Sequence, residues 1–443
     1  MSPRHGAPAT TGETGAPSLG AAVRVWARIG ILSFGGPAGQ IALMHREIVE
    51  QRKWLSEDEY LNALNFCMLL PGPEAMQLAT YAGWRHHGVL GGLIAGLLFV
   101  IPGALVVLGL TLVYLLLGTL EPIQAAFIGI KAAVLVIVVE ALLKIARRAL
   151  KGPAHWAIAA AAFVAIFVFA LPFPLIILAA ALVGFMLADR TAAVPPEPAG
   201  RPTSLAATAK TSFLWLLIWL LPLAALWVAL GDDHVLVQIG GFFSTLAVVT
   251  FGGAYAVLAY MAQAAVETYG WLTAGEMLDG LGLAETTPGP LILVTEFVGI
   301  LAAARADGGI SILAGLAGAL VTLWATFAPC FLWVLAGAPY VERIGRSPRL
   351  KAALQGITAA VVGVILNLSL WFALHVLAPG ITDSRDGWVR SWTFPDTGFD
   401  HAAVVLAVAA AVLLFPLKQG IVRTLVICAG LALAGYWTGI VAV

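Results

Sequence analysis

Long apolar runs recur along this chain at a length that suits a lipid bilayer, and they limit the fold more than any other feature. They lie near residues 88–117, 122–143, 154–188, 211–230, 309–336, 352–377, 401–416 and 421–441. A helix crosses the hydrocarbon core with about 20 apolar residues. Charged residues make up only 11% of the chain, whereas soluble domains carry about 25%. The sequence predicts an all-α polytopic membrane protein, in which prolines at 172 and 174 split one run into two short helices.

The remaining composition excludes several classes of function. The formal net charge is zero, so no nucleic-acid partner is expected. Cys67, Cys330 and Cys428 lie far apart in apolar segments, and this pattern indicates neither a disulfide framework nor a metal site. No cluster of nucleophile, base or metal ligand appears at catalytic spacing. We therefore expect a protein that is not an enzyme and has no cofactor, with the lipid bilayer as its surroundings.

Two pairs of helix breaks interrupt the apolar sequence at matched positions. Phe-Gly-Gly at 34–36 and 251–253 is followed, 36 residues further on, by Pro-Gly-Pro at 71–73 and 288–290. Glycine and proline are the least favourable residues inside a helix, so each break predicts two half-helices. Each broken segment is either one interrupted spanning helix or a re-entrant hairpin, and the sequence leaves both open.

The two halves of the chain are repeats. An offset of 217 aligns the Gly-Gly and Pro-Gly-Pro segments without a gap, and about 15 of 40 aligned positions are identical. Beyond a short insertion near residue 305 the offset becomes 227, which aligns Pro102 with Pro329. We predict a disordered cytoplasmic tail at 1–20, a first transmembrane repeat at 21–190, a linker at 191–210 and a second repeat at 211–443.

The distribution of basic residues predicts that the repeats are inverted. Basic residues flank the broken segments of the first half, while no Lys or Arg lies between Lys210 and Arg305. The loop at 342–351 reverses the pattern, because its four basic residues have uncharged equivalents in the first half. Cytoplasmic loops collect Lys and Arg. Equivalent loops are therefore expected on opposite sides of the membrane, with the breaks meeting near the bilayer midplane.

Inverted repeats with discontinuous helices are typical of secondary transporters. A half-helix that begins after Gly-Gly or Pro-Gly-Pro presents free N–H groups and the positive end of its dipole, which together can bind an anion. The alternative is that these residues only permit kinks and close packing. The predicted substrate-binding residues are Ser33, Gly35, Gly36, Pro37, Gln40, Pro71, Gly72, Pro73, Gln77, Thr250, Gly252, Gly253, Tyr255, Thr286, Thr287, Pro288, Gly289 and Pro290.

Charged residues inside the apolar segments are functional candidates because they are costly there. Glu74 follows Pro-Gly-Pro directly and either caps its own helix or occupies the anion position until it is protonated. Glu285 and Glu296 flank the second Pro-Gly-Pro and have the same two interpretations. Lys131 lies in the middle of its helix and either attracts the anion or pairs with a carboxylate. These four residues are the predicted coupling or gating groups.

The segments FGGPAGQIALMHREIVEQRKWL and ALNFCMLLPGPEAMQLATYAGW resemble the first half of the long-chain chromate ion transporter family, and TFGGAYAVLAYM with GWLTAGEMLDGLGLAETTPGPL resembles its second half. The resemblance covers the chain from about residue 20. It implies a multi-pass protein of the bacterial inner membrane that exports chromate and confers resistance. Met76 and Ala254 depart from the family pattern, and Ala254 suggests that the two copies are not functionally identical.

Chromate is a tetrahedral dianion, and sulfate is nearly isosteric with it. The expected function is therefore chromate export by alternating access around a fixed anion site, with no direct coupling to ATP and with proton coupling left open. The alternatives are a transporter or exchanger of sulfate or another oxyanion, and a passive anion channel. The oligomeric state is also left open, with a homodimer among the options.

Overall fold

A computed structural model describes residues 17–188, 204–251, 254–341, 347–386, 389–395 and 398–442. The predicted all-α class is confirmed, and β1 (Thr382–Asp386) and β2 (Val389–Thr393) add a small antiparallel hairpin. The helices are α1 (Leu19–Leu32), α2 (Gly36–Met44, extended by a π-helical segment His45–Gln51), α3 (Glu57–Cys67), α4 (Glu74–Leu117), α5 (Glu121–Ala149), α6 (Pro153–Phe167), α7 (Phe173–Met186), α8 (Leu205–Leu230), α9 (Val235–Val249), α10 (Ala254–Gln263, extended by a π-helical segment Ala264–Thr268), α11 (Ala274–Thr286), α12 (Val294–Ala304, preceded by a 3-10 turn Leu291–Leu293), α13 (Ile312–Gly337), α14 (Pro348–Leu377), α15 (His401–Leu414) and α16 (Ile421–Trp437).

Five helices in the described residues are long and apolar enough to cross a membrane: α4, α5, α8, α14 and α13 with its 3-10 extension to Tyr340. The run at 154–188 forms the two short helices α6 and α7, as its prolines predict, and both pack against α14. The predicted tail and linker lie largely outside the described residues. α1 begins at Leu19, within the predicted tail, and α8 begins at Leu205, within the predicted linker.

The Pro-Gly-Pro segments form the tips of re-entrant hairpins. α3 has 11 residues and α11 has 13, which at 1.5 Å per residue is about half the thickness of the hydrocarbon core. Glu59 lies at the start of α3, and its Oε1 atom is 3.2 Å from a guanidinium nitrogen of Arg85. Arg85 lies on α4, the second helical arm of the hairpin. Glu276 at the start of α11 lies 2.6 Å from Arg305 at the end of α12. Both arms of each hairpin therefore end at the same membrane face.

The Gly-Gly segments fold back in the same way. Arg28 on α1 lies 3.8 Å from Glu47 in the π-helical extension of α2, so the two arms run side by side. On the second hairpin of this type, the Phe242 ring of α9 packs against Tyr260 of α10 and Tyr269 beyond it, with ring centroids 5.6 and 5.4 Å apart. The structure thus has four re-entrant hairpins, and the interrupted spanning helix is the wrong alternative for the described segments.

The hairpins of the two halves enter from opposite ends of the spanning helices. Arg85 lies at one end of the spanning part of α4 and Gly118 at the other. We call the end with Arg85 and Lys144 the basic face. Gly118 lines an open cavity together with Glu276 and Arg305, and we call this cavity the vestibule and its side of the membrane the vestibule face. The Pro-Gly-Pro hairpin of the first half opens at the basic face, where Arg85 pairs with Glu59, and that of the second half opens at the vestibule face, where Arg305 pairs with Glu276.

Glycines allow the helices to approach at backbone distance. A Cβ atom on Gly363 of α14 would lie 2.1 Å from the carbonyl oxygen of Ala159 on α6. A Cβ on Gly129 of α5 would lie 2.1 Å from the carbonyl oxygen of Cys428 on α16. Small residues at such crossings are the usual source of packing energy between helices in lipid, where the hydrophobic effect between helices is weak.

Replacement of Gly363 by valine tests this packing. The side chain would force α6 away from α14, and overpacking of this kind costs about 1–3 kcal/mol. We expect a lower midpoint of thermal unfolding for the detergent-solubilised protein. Gly430→Ala on α16 is the control, because no atom lies within 4 Å of the position that its Cβ would occupy. An equal loss of stability in both variants would contradict the packing role.

Candidate functional site

The tips of the four hairpins meet in two pairs at the centre of the molecule. The N–H group of Gly72 donates to the carbonyl oxygen of Thr250 at 3.0 Å, and the N–H group of Gly289 donates to the carbonyl oxygen of Ser33 at 2.9 Å. Gly289 is the equivalent of Gly72, and Thr250 is the equivalent of Ser33, under the offset of 217. The contact is therefore reciprocal, as in an interface between two units related by a two-fold axis.

Steric contacts around the two Pro-Gly-Pro glycines follow the same pattern. A Cβ on Gly72 would lie 2.8 Å from Cys330 Sγ, and a Cβ on Gly289 would lie 3.4 Å from the Cα of Gly103. Gly103 and Cys330 are equivalent under the offset of 227. The φ angles of Gly72 and Gly289 are 117° and 86°, in the region that favours glycine. The backbone conformation thus favours glycine at both tips, and at Gly72 the lack of space does so as well.

The Gly-Gly tip of the first half is more open. Gly35 and Gly36 have φ angles of 87° and 69°, and a Cβ on either would meet no atom within 4 Å. Pro37 follows within the first turn of α2 and is partly buried. The equivalent pair, Gly252 and Gly253, lies outside the described residues. Free space therefore adjoins the start of α2, where a ligand could approach the backbone.

Helices begin at the central tips without a side-chain cap. The N-cap residues of α2, of α4 and of the 3-10 turn before α12 are Gly35, Pro73 and Pro290, and none offers a capping hydrogen bond. By contrast, α3 and α11 begin at the membrane faces with complete capping boxes, Ser56 with Glu59 and Thr273 with Glu276. The N-cap residues therefore leave partial positive charge on the N–H groups of the central helix starts, and at α4 the carboxylate of Glu74 lies in the first turn beside them.

The hydroxyl groups near the tips are already used within their own helices. Each donates its hydrogen to a carbonyl oxygen three or four residues earlier, so none can donate to an anion in this conformation. The bonds run from Ser33 to Ile29 (2.7 Å), from Thr250 to Leu246, from Thr286 to Leu283 (2.7 Å) and from Thr287 to Ala284 (2.9 Å). Donors for an anion at this centre are accordingly backbone N–H groups.

Two glutamines brace the tips, and both belong to the first half. Gln40 Nε2 donates to the carbonyl oxygen of Gly289 at 2.5 Å, which links α2 to the opposite Pro-Gly-Pro tip. Gln77 Nε2 donates to the carbonyl oxygen of Pro71 at 2.6 Å. The equivalent positions are Val257 and Val294, so this bracing is absent from those two positions. The two halves of the site thus differ in chemistry as well as in sequence.

Glu74 and Glu296 lie on the helices that leave the Pro-Gly-Pro tips. Glu74 is the first residue of α4, is partly buried, and lies near the thiol of Cys67. Among the described residues no basic side chain lies within ion-pair distance of it. Glu296 is only 1% exposed, and its Oε2 atom has no hydrogen-bond partner. Neither carboxylate is therefore neutralised by a nearby cation, which suits groups that bind a proton.

Lys131 pairs with a carboxylate, the second of the two roles that its position suggested. Its Nζ lies 3.5 Å from Asp279 Oδ1, and Tyr114 donates to Asp279 Oδ2 at 2.9 Å. Asp279 was not singled out from the sequence. A charged residue on a half-helix beside the Pro-Gly-Pro break was the available signal, since buried charges in membranes are costly and usually functional.

Glu285 accepts a hydrogen bond from Tyr255 at 2.8 Å, so a predicted gating residue and a predicted binding residue contact each other. Tyr255 lies in the first turn of α10, directly after the second Gly-Gly tip. Glu140 on α5 interacts electrostatically with the same carboxylate, and Lys144 Nζ lies 2.7 Å from Glu140 Oε1. This group connects the centre of the molecule with the basic face.

The vestibule is an open cavity of about 770 Å³ on the opposite face. Its charged and titratable lining residues are Tyr114, Lys131, Glu276, Asp279, Arg305, His375 and Asp400. The cavity leads from the surface to the Lys131–Asp279 pair. Cations and carboxylates thus alternate along its wall, and the wall is not uniformly positive.

Re-entrant hairpins that meet inside a bundle of long apolar helices define a multi-pass membrane protein. The sequence profile described as Chromate transporter matches residues 21–185 and 237–436. The chain therefore belongs to the chromate transporter family, whose members are transport proteins and not enzymes.

Three relatives illustrate the similarity. A probable chromate transport protein of Synechococcus elongatus is 32% identical over 89% of this chain and 95% of its own length. A chromate transport protein of Cupriavidus metallidurans is 32% identical over 77% of this chain and 80% of its own. One from Pseudomonas aeruginosa is 33% identical over 76% and 77%. No solved structure matches the chain.

Replacement of Gln40 by leucine tests the link between the tips. The change leaves the buried carbonyl oxygen of Gly289 without its side-chain donor, and an unpaired buried acceptor costs about 1–3 kcal/mol. We expect a lower midpoint of thermal unfolding in detergent. Gln238→Leu is the matched control, since that amide also donates to a carbonyl oxygen, of Asp233 at 3.3 Å, but at an exposed site where water can replace it. Equal effects would show that Gln40 does not stabilise the tips.

Proposed function

We propose that this protein exports chromate from the cytoplasm by alternating access around an anion site at the four hairpin tips. The observation that carries the proposal is the reciprocal pairing of these tips, which places uncapped helix N-termini together at the centre of the membrane. Such termini bind anions through backbone N–H groups and the helix dipole. The names of its relatives support chromate as the substrate.

We also propose that residues 21–190 and 211–443 are inverted-topology repeats. The opposite entry of their hairpins and the reciprocal contacts of Gly72 and Gly289 support this relation. In the proposed mechanism the two units rock against each other and expose the tips alternately to either face. The substrate would contact the Gly-Gly and Pro-Gly-Pro residues predicted from the sequence, with the open space beside Gly35 and Gly36 as the first point of approach.

The basic face is assigned to the cytoplasm of a bacterial cell, in the inner membrane. Arg85, Lys144, Arg147, Arg148 and Lys151 lie at this end of the spanning helices, and cytoplasmic ends collect Lys and Arg. When the membrane potential is negative inside, outward movement of one negative charge lowers its free energy by about 2.3 kcal/mol per 100 mV. A dianion gains about twice this amount, so the potential favours export.

Sulfate is the second candidate substrate. It has the charge and the tetrahedral shape of chromate, and an uncharged set of donors rejects an isostere only weakly. The hydroxyl groups that could tune selectivity are engaged within their own helices here. Competition between the two anions is accordingly part of the test below.

Transport by inside-out vesicles tests the function. Vesicles that contain the protein should accumulate chromate when their interior is made positive, and accumulation should saturate with substrate. Gly36→Val should abolish it, because valine is strained at a φ of 69° and would fill the open space at the start of α2. Gly109→Val is the control, on the spanning part of α4, where a Cβ has no neighbour within 4 Å.

Three results would contradict the proposal in different ways. Faster transport of sulfate than of chromate at equal concentration would make sulfate the substrate. A rate that never saturates would indicate a channel. Wild-type transport by Gly36→Val, with equal amounts of protein in the membrane, would exclude the tip as the anion site.

Glu74→Gln separates the two roles of that residue. If Glu74 excludes the anion until it is protonated, the variant should show an altered pH dependence of chromate export, because glutamine does not titrate. Asp58→Asn is the control, an exposed carboxylate on α3. Export by Glu74→Gln with the pH profile of the wild type would make Glu74 a helix cap only.

A further inference from the structure

Two buried carboxylates on α11 have matching surroundings. Asp279 accepts from Tyr114 at 2.9 Å, and Glu285 accepts from Tyr255 at 2.8 Å. Each tyrosine comes from a different helix, α4 or α10, and each carboxylate faces α5. Asp279 is 3% exposed and Glu285 is 6% exposed. Buried Asp and Glu residues inside membrane transport proteins commonly belong to proton relays.

Charged residues of α5 lie between these two carboxylates and the two faces of the molecule. On the basic face, Lys144 has a side chain that is 66% exposed, and it pairs with Glu140, which is 19% exposed and faces Glu285. On the other side, Lys131 pairs with Asp279, and both line the vestibule. The exposed fraction of these titratable side chains therefore falls from Lys144 at one face, and from Lys131 at the other, towards Glu285 and Asp279 on α11.

We propose that this seam between α5 and α11 is a proton route, with Glu285 and Asp279 as its two proton-binding sites. The inference rests on the proposed export of an oxyanion and adds the coupling ion to it. Nothing in the family assignment or in the names of the relatives assigns a role to Asp279 or Glu140.

Each step of the route conserves protons. Water at the basic face gives a proton to Glu140, which passes it to a carboxylate oxygen of Glu285, and Asp279 finally releases it to water in the vestibule. Six residues separate Asp279 from Glu285 along α11, or about 9 Å. This distance exceeds the reach of a hydrogen bond, so the transfer between them requires a water molecule or a shift of α11 during transport.

Tyr255 and the position of Glu285 connect the route to the anion site. Tyr255 begins α10 beside the second Gly-Gly tip, and Glu285 precedes Pro288 by only three residues. A dianion at the tips repels an ionised Glu285, so the bound anion favours the protonated form. The anion and the proton therefore bind together and move in the same direction.

The groups that face each site define its pH response. Tyr255 donates a hydrogen bond to Glu285, and Glu140 and Lys144 interact with this carboxylate electrostatically. Tyr114 and Lys131 contact Asp279, and Glu276 interacts with it electrostatically. Arg305 pairs with Glu276 and so lies one step further into the vestibule. No other charged side chain of the described residues forms an ion pair with either proton-binding carboxylate.

Proton-driven uptake into proteoliposomes of the full chain tests the route. The potential is clamped at zero with potassium and valinomycin, and the outside is made acidic relative to the inside. The wild type should accumulate chromate at least tenfold, whereas Asp279→Asn and Glu285→Gln should show only the smaller accumulation that protonation of chromate itself drives. Chromate itself binds a proton near neutral pH, but this contribution is the same for every variant.

Two further variants keep the test independent of folding. Glu121→Gln changes a carboxylate that lies on the same helix α5 and accepts from Tyr436 at 2.5 Å, but is exposed, and it should behave as the wild type. Glu285→Asp retains a titratable group and should recover part of the accumulation. Accumulation by both Asp279→Asn and Glu285→Gln at the wild-type level would overturn the proton route, as would loss of accumulation in Glu121→Gln.

Sulfate separates this inference from the assignment of the substrate. If the wild type carries no chromate, the same variants are compared with sulfate as the transported anion. Uptake of sulfate that depends on Asp279 and Glu285 would support the route and refute chromate as the substrate. Uptake of either anion by the wild type, with the same response to acid in every variant, would refute the route alone.

Discussion

Two backbone hydrogen bonds at the centre of the membrane hold the molecule together, from Gly72 to Thr250 and from Gly289 to Ser33. No bulk water reaches an N–H group at this depth, so every hairpin tip needs a partner from the protein. Each half supplies the acceptor that the other half needs. The four hairpins therefore depend on one another, and the positive φ angles of Gly72 and Gly289 favour glycine at the Pro-Gly-Pro tips.

The same pairing explains where positive charge is available at the site. In the described part of the chain, the hydroxyl groups of Ser33, Thr286 and Thr287 donate to backbone carbonyl oxygens. Lys131 forms an ion pair with Asp279. What remains for an anion is the backbone at the uncapped helix starts. A site of this kind attracts charge without holding a fixed counter-ion, which suits a carrier that must release its substrate.

Sequence patterns predicted the local features well. The apolar runs at 88–117, 122–143, 211–230, 309–336 and 352–377 predicted the five spanning helices, whereas those at 401–416 and 421–441 form the shorter helices α15 and α16. Prolines 172 and 174 predicted the split between α6 and α7, and Gly-Gly at 35–36 and the two Pro-Gly-Pro segments predicted breaks. These predictions succeed because helix propensity and the hydrophobic length of a helix depend on neighbouring residues. Lys131 showed the limit, since its charge indicated a partner, and the sequence did not indicate whether that partner was the anion or Asp279.

By itself, the sequence determined the class of the protein, its family and the positions of its helix breaks. Only the tertiary structure decided that the broken segments re-enter, that their tips pair across the two halves, and that Glu285 contacts Tyr255. The reason is physical: helix starts and stops are set by a few adjacent residues. The partner of a buried backbone or carboxylate group, in contrast, depends on which segments pack side by side, even when they lie 256 residues apart in the chain, as Ser33 and Gly289 do.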